Sequence, residues 1–319
     1  MPAFEPSQGI ATPWVSRFYQ TERDLLQMQD MLMQARAQSG DWHYKHVGEL
    51  LWDFFMVVCH LDPTRHIRLW HVGDDLVGYA VLGEDPSIDF QVLPEYEWRG
   101  IEAEAMAWAK TKVAGLRIGD PQSWRGNFVS GYRQDNEKRR AFFEGEGFHP
   151  GGEFSEVNMI RPLREPLPEV AIPAGCQVRS MGGVDEIPDR AEIQREVWMP
   201  WTVGHVSDED YARFMQLPGY SRDLDVVAVA SDGVIAAYVN GWIDPLNRIG
   251  DLGPLGARPA YRRQGLTRAA IIKCLYRMRA LGMDRACVST GISNTPAIRL
   301  YESISFVPVN QYIEFVKAG

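Results

Sequence analysis

The chain has few cysteines and no long apolar segment. Four cysteines occur in 319 residues and none forms a CxxC pair: Cys59, Cys176, Cys274 and Cys287. Cysteines this sparse indicate reduced thiols rather than a disulfide framework. No stretch approaches the roughly 20 apolar residues of a transmembrane helix, and the first residues lack the basic start and apolar run of a signal peptide. We therefore expect a cytoplasmic protein that does not enter a membrane.

The chain also lacks an excess of positive charge. Its 33 Lys and Arg residues stand against 42 Asp and Glu residues, which gives a net charge of −9. An acidic surface has no general affinity for nucleic acid or for anionic membranes. The sequence contains neither the P-loop signature GxxxxGK[ST] nor the dinucleotide-binding signature GxGxxG. His43 and His46 have no third ligand at a metal-binding spacing, so no metal is expected.

What the chain does contain is an internal repeat. At 319 residues, 45% of them apolar, it is long enough for two hydrophobic cores. Residues 93–101 and 258–266 share Pro, Tyr and Gly, and each segment follows a strand-like run and opens an Ala-rich helical run. Residues 136–150 and 294–308 match at nearly the same offset. Two matched pairs at one spacing indicate two copies of one fold.

The boundary between the copies is a proline-rich stretch at residues 162–168, where neither a helix nor a central strand can continue. We place the linker at about residues 163–173, with domains at residues 1–165 and 172–319. Strands are predicted in the second copy at residues 225–230, 234–242, 249–257, 285–290 and 306–316. Helices alternate with them, which predicts an α/β (α+β) fold: two domains, each a mixed, mostly antiparallel sheet flanked by helices.

A glycine turn in the second copy joins a strand to a helix at residues 262–267. Such a turn presents backbone N–H groups and a helix N-terminus to an anion, and Gly265 lets a phosphate approach closely. Four arginines and no acid lie nearby: Arg258, Arg262, Arg263 and Arg268. The alternative is a solvated loop with one turn glycine. The matching turn of the first copy carries Glu95, Glu97, Glu102 and Glu104. These carboxylates would repel a diphosphate, so we expect the first copy to bind no such ligand.

These residues resemble the GNAT superfamily of N-acetyltransferases, whose turn reads (Q/R)xxGx(G/A). Residues 262–267 match it, with Thr267 where Gly or Ala is usual. Residues 294–306 are similar to the later motif N-x-x-A-x-x-L-Y-E-x-x-G-F, with Ser305 in place of its glycine. The similarity is strong over residues 248–306, and the repeat extends it more weakly to the whole chain. It implies a tandem pair of GNAT domains of which only the second is a working one.

The resemblance implies acetyl-CoA as co-substrate and a primary amine, on a small molecule or a peptide, as acceptor. The amine would attack the thioester directly in a ternary complex. The residues implied to hold the pantetheine arm are Leu255, Gly256, Ala257, Asn294 and Ala297. Those implied at the pyrophosphate are Arg262, Arg263, Gln264, Gly265, Leu266 and Thr267.

Two catalytic residues follow from the same resemblance. Tyr301 would protonate the departing thiolate, and its alternative role is aromatic packing, as for Phe143 in the first copy. Asp251 would take the proton from the amine through a water, and its alternative role is that of a polar strand residue. Gly253 stands where related tandem proteins commonly carry Glu.

Trp198 and Trp201 are the predicted acceptor-binding residues, because aromatic rings suit an apolar or cationic amine. Alternatively, both rings pack against the first domain. The second function class is a non-catalytic protein that binds acyl-CoA or a partner on a decayed transferase fold. Thr267, Ser305 and Gly253 are the departures that support this class.

Overall fold

A computed structural model describes residues 13–40, 43–83, 87–119, 127–151, 155–199 and 204–318. The first half of the chain forms β1 (Val15–Phe18), α1 (Glu22–Ser39), α2 (Val47–His60), α3 (Pro63–His66), β2 (Ile67–Val72), β3 (Asp75–Leu82), β4 (Ile88–Val92), α4 (Ile101–Gly119), β5 (Asn127–Arg133), α5 (Glu137–Gly145), β6 (His149–Pro150) and β7 (Glu156–Pro162). The second half forms β8 (Gln177–Ser180), α6 (Ile187–Trp198), α7 (Asp208–Phe214), β9 (Asp225–Val229), β10 (Ile235–Asp244), β11 (Ile249–Ala257), α8 (Leu266–Ala280), β12 (Arg285–Gly291), α9 (Thr295–Glu302) and β13 (Val307–Ala318). The mixed fold predicted from the sequence is confirmed.

Local signals explain where several elements begin and end. Ser207 Oγ accepts a hydrogen bond from the Asp210 N–H at 3.1 Å, and the Asp210 carboxylate accepts one from the Ser207 N–H at 3.0 Å. This reciprocal pair starts α7. At the end of α8, Gly282 adopts a φ of 88°, which a residue with a side chain rarely takes. The strand predicted at residues 249–257 is found as β11 with those bounds.

The strands form two sheets. One runs in the order β1-β2-β3-β4 and is antiparallel throughout. The other runs in the order β5-β13-β7-β12-β11-β10-β9-β8, with β6 pairing to β13. Among its described pairs, only β11 and β12 are parallel. Antiparallel pairing therefore dominates both sheets, as predicted.

The final strand of each copy lies beside strands of the other copy. β7 comes before the proline-rich stretch but pairs with β12, where Cys287 faces Ile160. β13 ends the chain but pairs with β5, where Glu314 faces Gly131. The sheets therefore do not follow the division predicted at residues 163–173. Prolines mark where a chain leaves a strand, whereas the choice of neighbouring strand depends on the packing of the whole molecule. The domain ranges 1–165 and 172–319 remain a prediction about the two sequence copies.

The two halves also share a hydrophobic core. One core cluster combines Leu51 and Phe55 of α2 with Phe214 of α7 and with Tyr238 and Trp242 of β10. A further contact joins the halves through α1, where the Asn247 side-chain amide donates to the Met33 carbonyl at 2.9 Å. The halves are thus packed as one body. Within the described ranges, no helix combines the length and the apolar character needed to cross a bilayer.

Candidate active site

Strands β11 and β12 part in the middle of the second sheet. Their pairing runs from Ile249 opposite Arg285 to Leu252 opposite Val288, and it ends there. Beyond that point, Leu255, Gly256 and Ala257 pair with β10 along one edge only. Their other edge faces the opening between the two strands, which is the place predicted for the pantetheine arm. A Cβ on Gly256 would lie 2.3 Å from a Val197 methyl group, so the packing of α6 is a second reason for this glycine.

The glycine turn leaves the N-terminus of α8 open. Gly265 is the N-cap residue with a φ of 82°, and it has no side chain to accept the first N–H groups of the helix. The first turn of α8 carries no acid, and a Cβ on Gly265 would meet nothing within 4 Å. Unpaired N–H groups and open space are what an anion requires. Arg263, with a φ of 62°, and Gln264 are exposed in this turn.

The remaining turn residues have different surroundings. Leu266 is buried and anchors α8 in the core, while Thr267 is half-buried in its first turn. Arg262 is exposed, and its Nε donates to the Ala257 carbonyl at 3.3 Å. Arg258 is engaged by α6, where it pairs with Glu192 at 2.7 Å and also with Glu196. The positive charge available to an anion therefore comes from Arg262, Arg263 and Arg268 rather than from Arg258.

In the first copy, the Glu102 carboxylate occupies the corresponding helix start, and the Glu104 carboxylate beside it is held by two indole groups. The Trp98 N–H donates to Glu102 Oε1 at 2.7 Å, and burial raises the pKa of Glu102. Glu104 accepts hydrogen bonds from the indole N–H groups of Trp14, at 3.1 Å, and Trp70, at 2.8 Å. A diphosphate would have to displace these groups. This geometry supports the expectation that the first copy holds no such ligand.

A cavity of about 400 Å³ lies where the two halves meet, beside the opening between β11 and β12. We call it the junction cavity. Its charged lining consists of the carboxylates Glu49, Asp53, Glu156 and Asp251 and the cations Lys45 and Arg133. Arg133 pairs with Glu49 at 3.1 Å. Four acids face two bases, and the two acids whose pKa is raised to about 7, Asp251 and Glu156, are only partly ionised at neutral pH.

Asp251 lies on β11 with its carboxyl group at this cavity. It is 7% exposed, and the Cys287 thiol donates to its Oδ1 at 3.3 Å. Burial, followed by the neighbouring Glu49 carboxylate, raises the pKa of Asp251 to about 7. A carboxyl group with this pKa can exchange a proton near neutral pH.

Glu156 is a second carboxyl group in the junction cavity, and the sequence analysis did not identify it. It lies on β7, opposite Gly291 of β12 and Tyr312 of β13. Burial and the Glu49 carboxylate raise the pKa of Glu156 to about 7. No local pattern marks this residue, because only the exchange of β7 into the second sheet brings it here.

Tyr301 is buried on α9, 3% exposed, with its ring 6.0 Å from that of Phe306. Burial raises the pKa of Tyr301, and the carboxylates of Glu156 and Asp251 contribute to this shift. The hydroxyl group is therefore protonated at neutral pH and lies within electrostatic reach of both acids. Tyr301 is not among the residues that line the junction cavity, so its described relation to Asp251 is electrostatic and not a contact.

Asn294 is occupied in capping α9. Its Oδ1 accepts from the Ala297 N–H at 3.4 Å, and its Nδ2 donates to Thr290 Oγ1 at 3.0 Å. Asn136 caps α5 in the same way, accepting from the Arg139 N–H at 3.0 Å. Capping alone accounts for the asparagine that the two copies share. The cap uses one donor and one acceptor of the Asn294 amide, which leaves one of each for a further contact.

Trp198 lines the junction cavity, while Trp201 lies outside the described residues. The Trp198 indole donates to the Tyr238 hydroxyl at 2.6 Å, which in turn donates to Gln194 Oε1 at 2.6 Å. The ring is thus held in place by buried polar groups. In the part of the chain that the structure describes, no three His, Cys, Asp or Glu side chains converge in a way that could hold a metal ion.

Residues 190–306 match the model of the Acetyltransferase (GNAT) family. A mycothiol acetyltransferase from Thermobispora bispora is 28% identical over 258 residues, which cover 75% of this chain and 79% of that protein. One from Acidothermus cellulolyticus is 26% identical over 299 residues, covering 82% and 84%.

Two solved structures share the fold over nearly the whole chain. A GCN5-related N-acetyltransferase from Sphaerobacter thermophilus has a TM-score of 0.65 at 19% identity, covering 97% of each chain. A tandem GNAT protein from the clavulanic acid biosynthesis pathway has a TM-score of 0.64 at 16% identity, covering 96% of this chain and 98% of the other. Both the motifs and the tandem architecture agree with these matches. Residues 190–306 thus match an acetyltransferase domain of the GNAT family, and the chain as a whole is similar in sequence to mycothiol acetyltransferases and in fold to a tandem GNAT protein.

Proposed function

We propose that this protein transfers an acetyl group from acetyl-CoA to a primary amine by direct attack in a ternary complex. The observation that carries the proposal is the junction cavity. It places Asp251 and Glu156 beside the strand opening, within electrostatic reach of Tyr301. Two carboxyl groups that titrate near pH 7 and a protonated hydroxyl are the groups that amine acylation needs.

The cofactor would enter through the second copy. Its pantetheine arm would lie along the free edge of Leu255, Gly256 and Ala257. Its pyrophosphate would rest on the open N-terminus of α8. Arg262 and Arg263 are exposed there and add positive charge. The acids at the start of α4 argue for a single acetyl-CoA site in each chain.

The acceptor would bind as an ammonium ion in the junction cavity. Four carboxylates face two cations there, and an incoming positive charge stabilises the ionised form of both Asp251 and Glu156. Asp251, directly or through a water, would then remove one proton. The neutral amine attacks the thioester carbonyl, the C–S bond breaks, Tyr301 protonates the leaving thiolate, and the nitrogen loses its second proton to Glu156 or to water as the amide forms. Glu156 is the second group able to accept the proton.

The decisive experiment measures thiol release from acetyl-CoA with a panel of primary amines, and compares the wild type with Asp251→Asn. The panel should include the acceptor of the mycothiol acetyltransferases, because those relatives align over most of the chain. We expect amine-dependent thiol release that Asp251→Asn lowers. If acetyl-CoA binds while no amine releases thiol, the protein is instead a non-catalytic binder on the same fold.

A further inference from the structure

The Asp251 carboxyl group has a thiol neighbour inside the second sheet. Cys287 of β12 lies directly opposite Asp251 in the parallel pairing with β11, and that pairing ends one residue later, at Leu252 and Val288. The Cys287 thiol donates to Asp251 Oδ1 at 3.3 Å. Asp251 lines the junction cavity, whereas Cys287 is not part of the lining and is only 5% exposed. The thiol can therefore act on a ligand in that cavity through Asp251 and not by touching it.

The Cys287 thiol keeps its proton. Burial, followed by the Asp251 carboxylate, raises the pKa of Cys287 well above its ordinary range. A protonated thiol is a hydrogen-bond donor, whereas a nucleophile would have to be the thiolate. Cys287 is thus suited to hold a carboxylate and not to attack a thioester.

The thiol has two acceptors within reach, and the charge of Asp251 decides between them. The Gly250 carbonyl oxygen lies 3.3 Å from the Cys287 sulfur, the same distance as Asp251 Oδ1. An ionised carboxylate is a stronger acceptor than a carbonyl group, so the thiol proton turns to Asp251 when that group is ionised. When Asp251 is protonated, the Gly250 carbonyl can take the hydrogen bond instead. The contact therefore stabilises the ionised form selectively.

The other titratable groups around Asp251 come from both halves of the chain. They are Arg36 of α1, Lys45 and His46 before α2, Glu49 and Asp53 of α2, Arg133 of β5, Glu156 of β7, Tyr301 of α9 and Tyr312 of β13. Burial, followed by Glu49, raises the pKa of Asp251. The Cys287 thiol lowers it, and so do Arg36 and the Leu252 N–H. A substitution at Cys287 leaves all of these groups in place except the thiol, so its effect on Asp251 reports the thiol contact.

We propose that Cys287 is a positioning residue for Asp251, whose thiol holds the carboxyl group beside the strand opening and favours the ionised form that accepts the proton of the amine. This inference rests on the proposed acetyl transfer, in which Asp251 is the base. Without the thiol, Asp251 stays protonated at pH values where it is already ionised in the wild type. The expected effect is a shifted pH dependence, since Asp251 is ionised in every variant at a sufficiently high pH.

The test follows the Asp251 carboxyl group by ¹³C NMR in full-length protein labelled at its aspartate carboxyl carbons. The signal that is missing from Asp251→Asn identifies the group. We expect Cys287→Ala to raise its titration midpoint by about half a pH unit, because a thiol is a weak donor. Cys287→Ser keeps a donor and should restore the wild-type midpoint. Cys274→Ala is the matched control, since Cys274 is also buried but its thiol donates to the Leu224 carbonyl, at 3.8 Å, rather than to a carboxylate.

The pH dependence of kcat/KM, measured with an amine that the wild type acetylates, separates this inference from the proposed function. Its midpoint should move with that of the carboxyl group in Cys287→Ala. If the carboxyl midpoint moves while the kcat/KM profile does not, or while no amine is acetylated, the thiol contact stands and the proposed role of Asp251 as the base fails.

The inference is overturned if the carboxyl midpoint is the same in the wild type and in Cys287→Ala. It is also overturned if Cys287→Ser shifts the midpoint as far as Cys287→Ala does. A lower kcat with unchanged midpoints would assign Cys287 a packing role alone. Matching circular dichroism spectra show that the variants are folded.

Discussion

Tyr301 keeps its proton at neutral pH because burial and two carboxylates raise its pKa. Tyr301→Phe removes only the hydroxyl group and leaves the ring against Phe306. We expect kcat to fall by about 10²-fold, the low end for general-acid catalysis, because a thiolate leaves fairly easily. Acetyl-CoA Kd should stay close to that of the wild type. An unchanged kcat would remove Tyr301 from the mechanism, and a lost affinity would make it a binding residue.

Asp251 connects activity to pH. Burial raises its pKa to about 7, so the deprotonated form that can accept a proton increases as the pH rises through that value. We expect kcat/KM to rise with pH and to level off above about 7. Asp251→Asn should lower kcat by about 10²-fold or more and remove the rise of kcat/KM with pH. Glu156→Gln is the comparison, because its pKa is also raised to about 7. If only Glu156→Gln removes the rise of kcat/KM with pH, Glu156 is the base.

Gly253 offers a way to move the carboxylate. It lines the junction cavity, and a Cβ there would meet nothing within 4 Å. A glutamate at this position should therefore point into open space beside Asp251. We expect Gly253→Glu to raise the kcat of Asp251→Asn by about tenfold by restoring a base. Gly253→Gln in the same background has nearly the same shape without the charge. Equal rates for the two double variants would show that a carboxylate at this place does not act as a base.

At the scale of elements, α8 has a glycine with a positive φ angle at each end, and the one at the C-terminal end serves as a control for the one at the N-terminal end. Gly265 and Gly282 both have positive φ angles, of 82° and 88°, and a Cβ on either meets nothing within 4 Å. Replacing either with Ala should cost about 1 kcal/mol of backbone strain. Only Gly265→Ala also intrudes on the proposed phosphate site. We expect it to weaken acetyl-CoA binding by about 10- to 100-fold, as the loss of a charge-assisted hydrogen bond would. Calorimetry of both variants tests this, and equal affinities would assign the turn a structural role alone.

At the scale of the whole molecule, α2 of the first half packs against β10 of the second half. A Cβ on Gly48 would lie 2.5 Å from Trp242 Cγ, whereas a Cβ on Gly145 at the end of α5 would meet nothing within 4 Å. We expect Gly48→Ala to lower the free energy of unfolding by about 1–3 kcal/mol through overpacking. Gly145→Ala should leave it within about 0.5 kcal/mol.

Denaturation of the wild type and of these variants tests whether the two halves unfold together. The shared core and the exchanged strands predict one transition, seen at the same denaturant concentration by circular dichroism and by fluorescence. Two separate transitions in the wild type would show that the halves are independent. An unchanged stability of Gly48→Ala would show that the α2–β10 contact is looser than the structure indicates.

Local features were readable from the sequence because their causes lie within a few residues. The bounds of β11 follow from strand composition and the turn after it, and the start of α7 follows from Ser207 and Asp210. Gly265 was predicted to lie in a turn between a strand and a helix, and the structure places it there with a φ of 82°. The contrast between a basic turn in one copy and an acidic turn in the other is likewise visible in the printed residues.

The cavity arrangement was decided by contacts between distant segments. Pairing β7 with β12 brings Glu156 to Asp251, and packing α2 on β10 brings Lys45 and Glu49 to the same cavity. Strand pairing satisfies backbone hydrogen bonds equally well with either copy, so no residue pattern specifies the exchange. Burial of the shared core selects it. The sequence by itself therefore determined the family motifs, the elements and the glycine turn before α8, and only the tertiary structure decided which acidic side chains line the junction cavity.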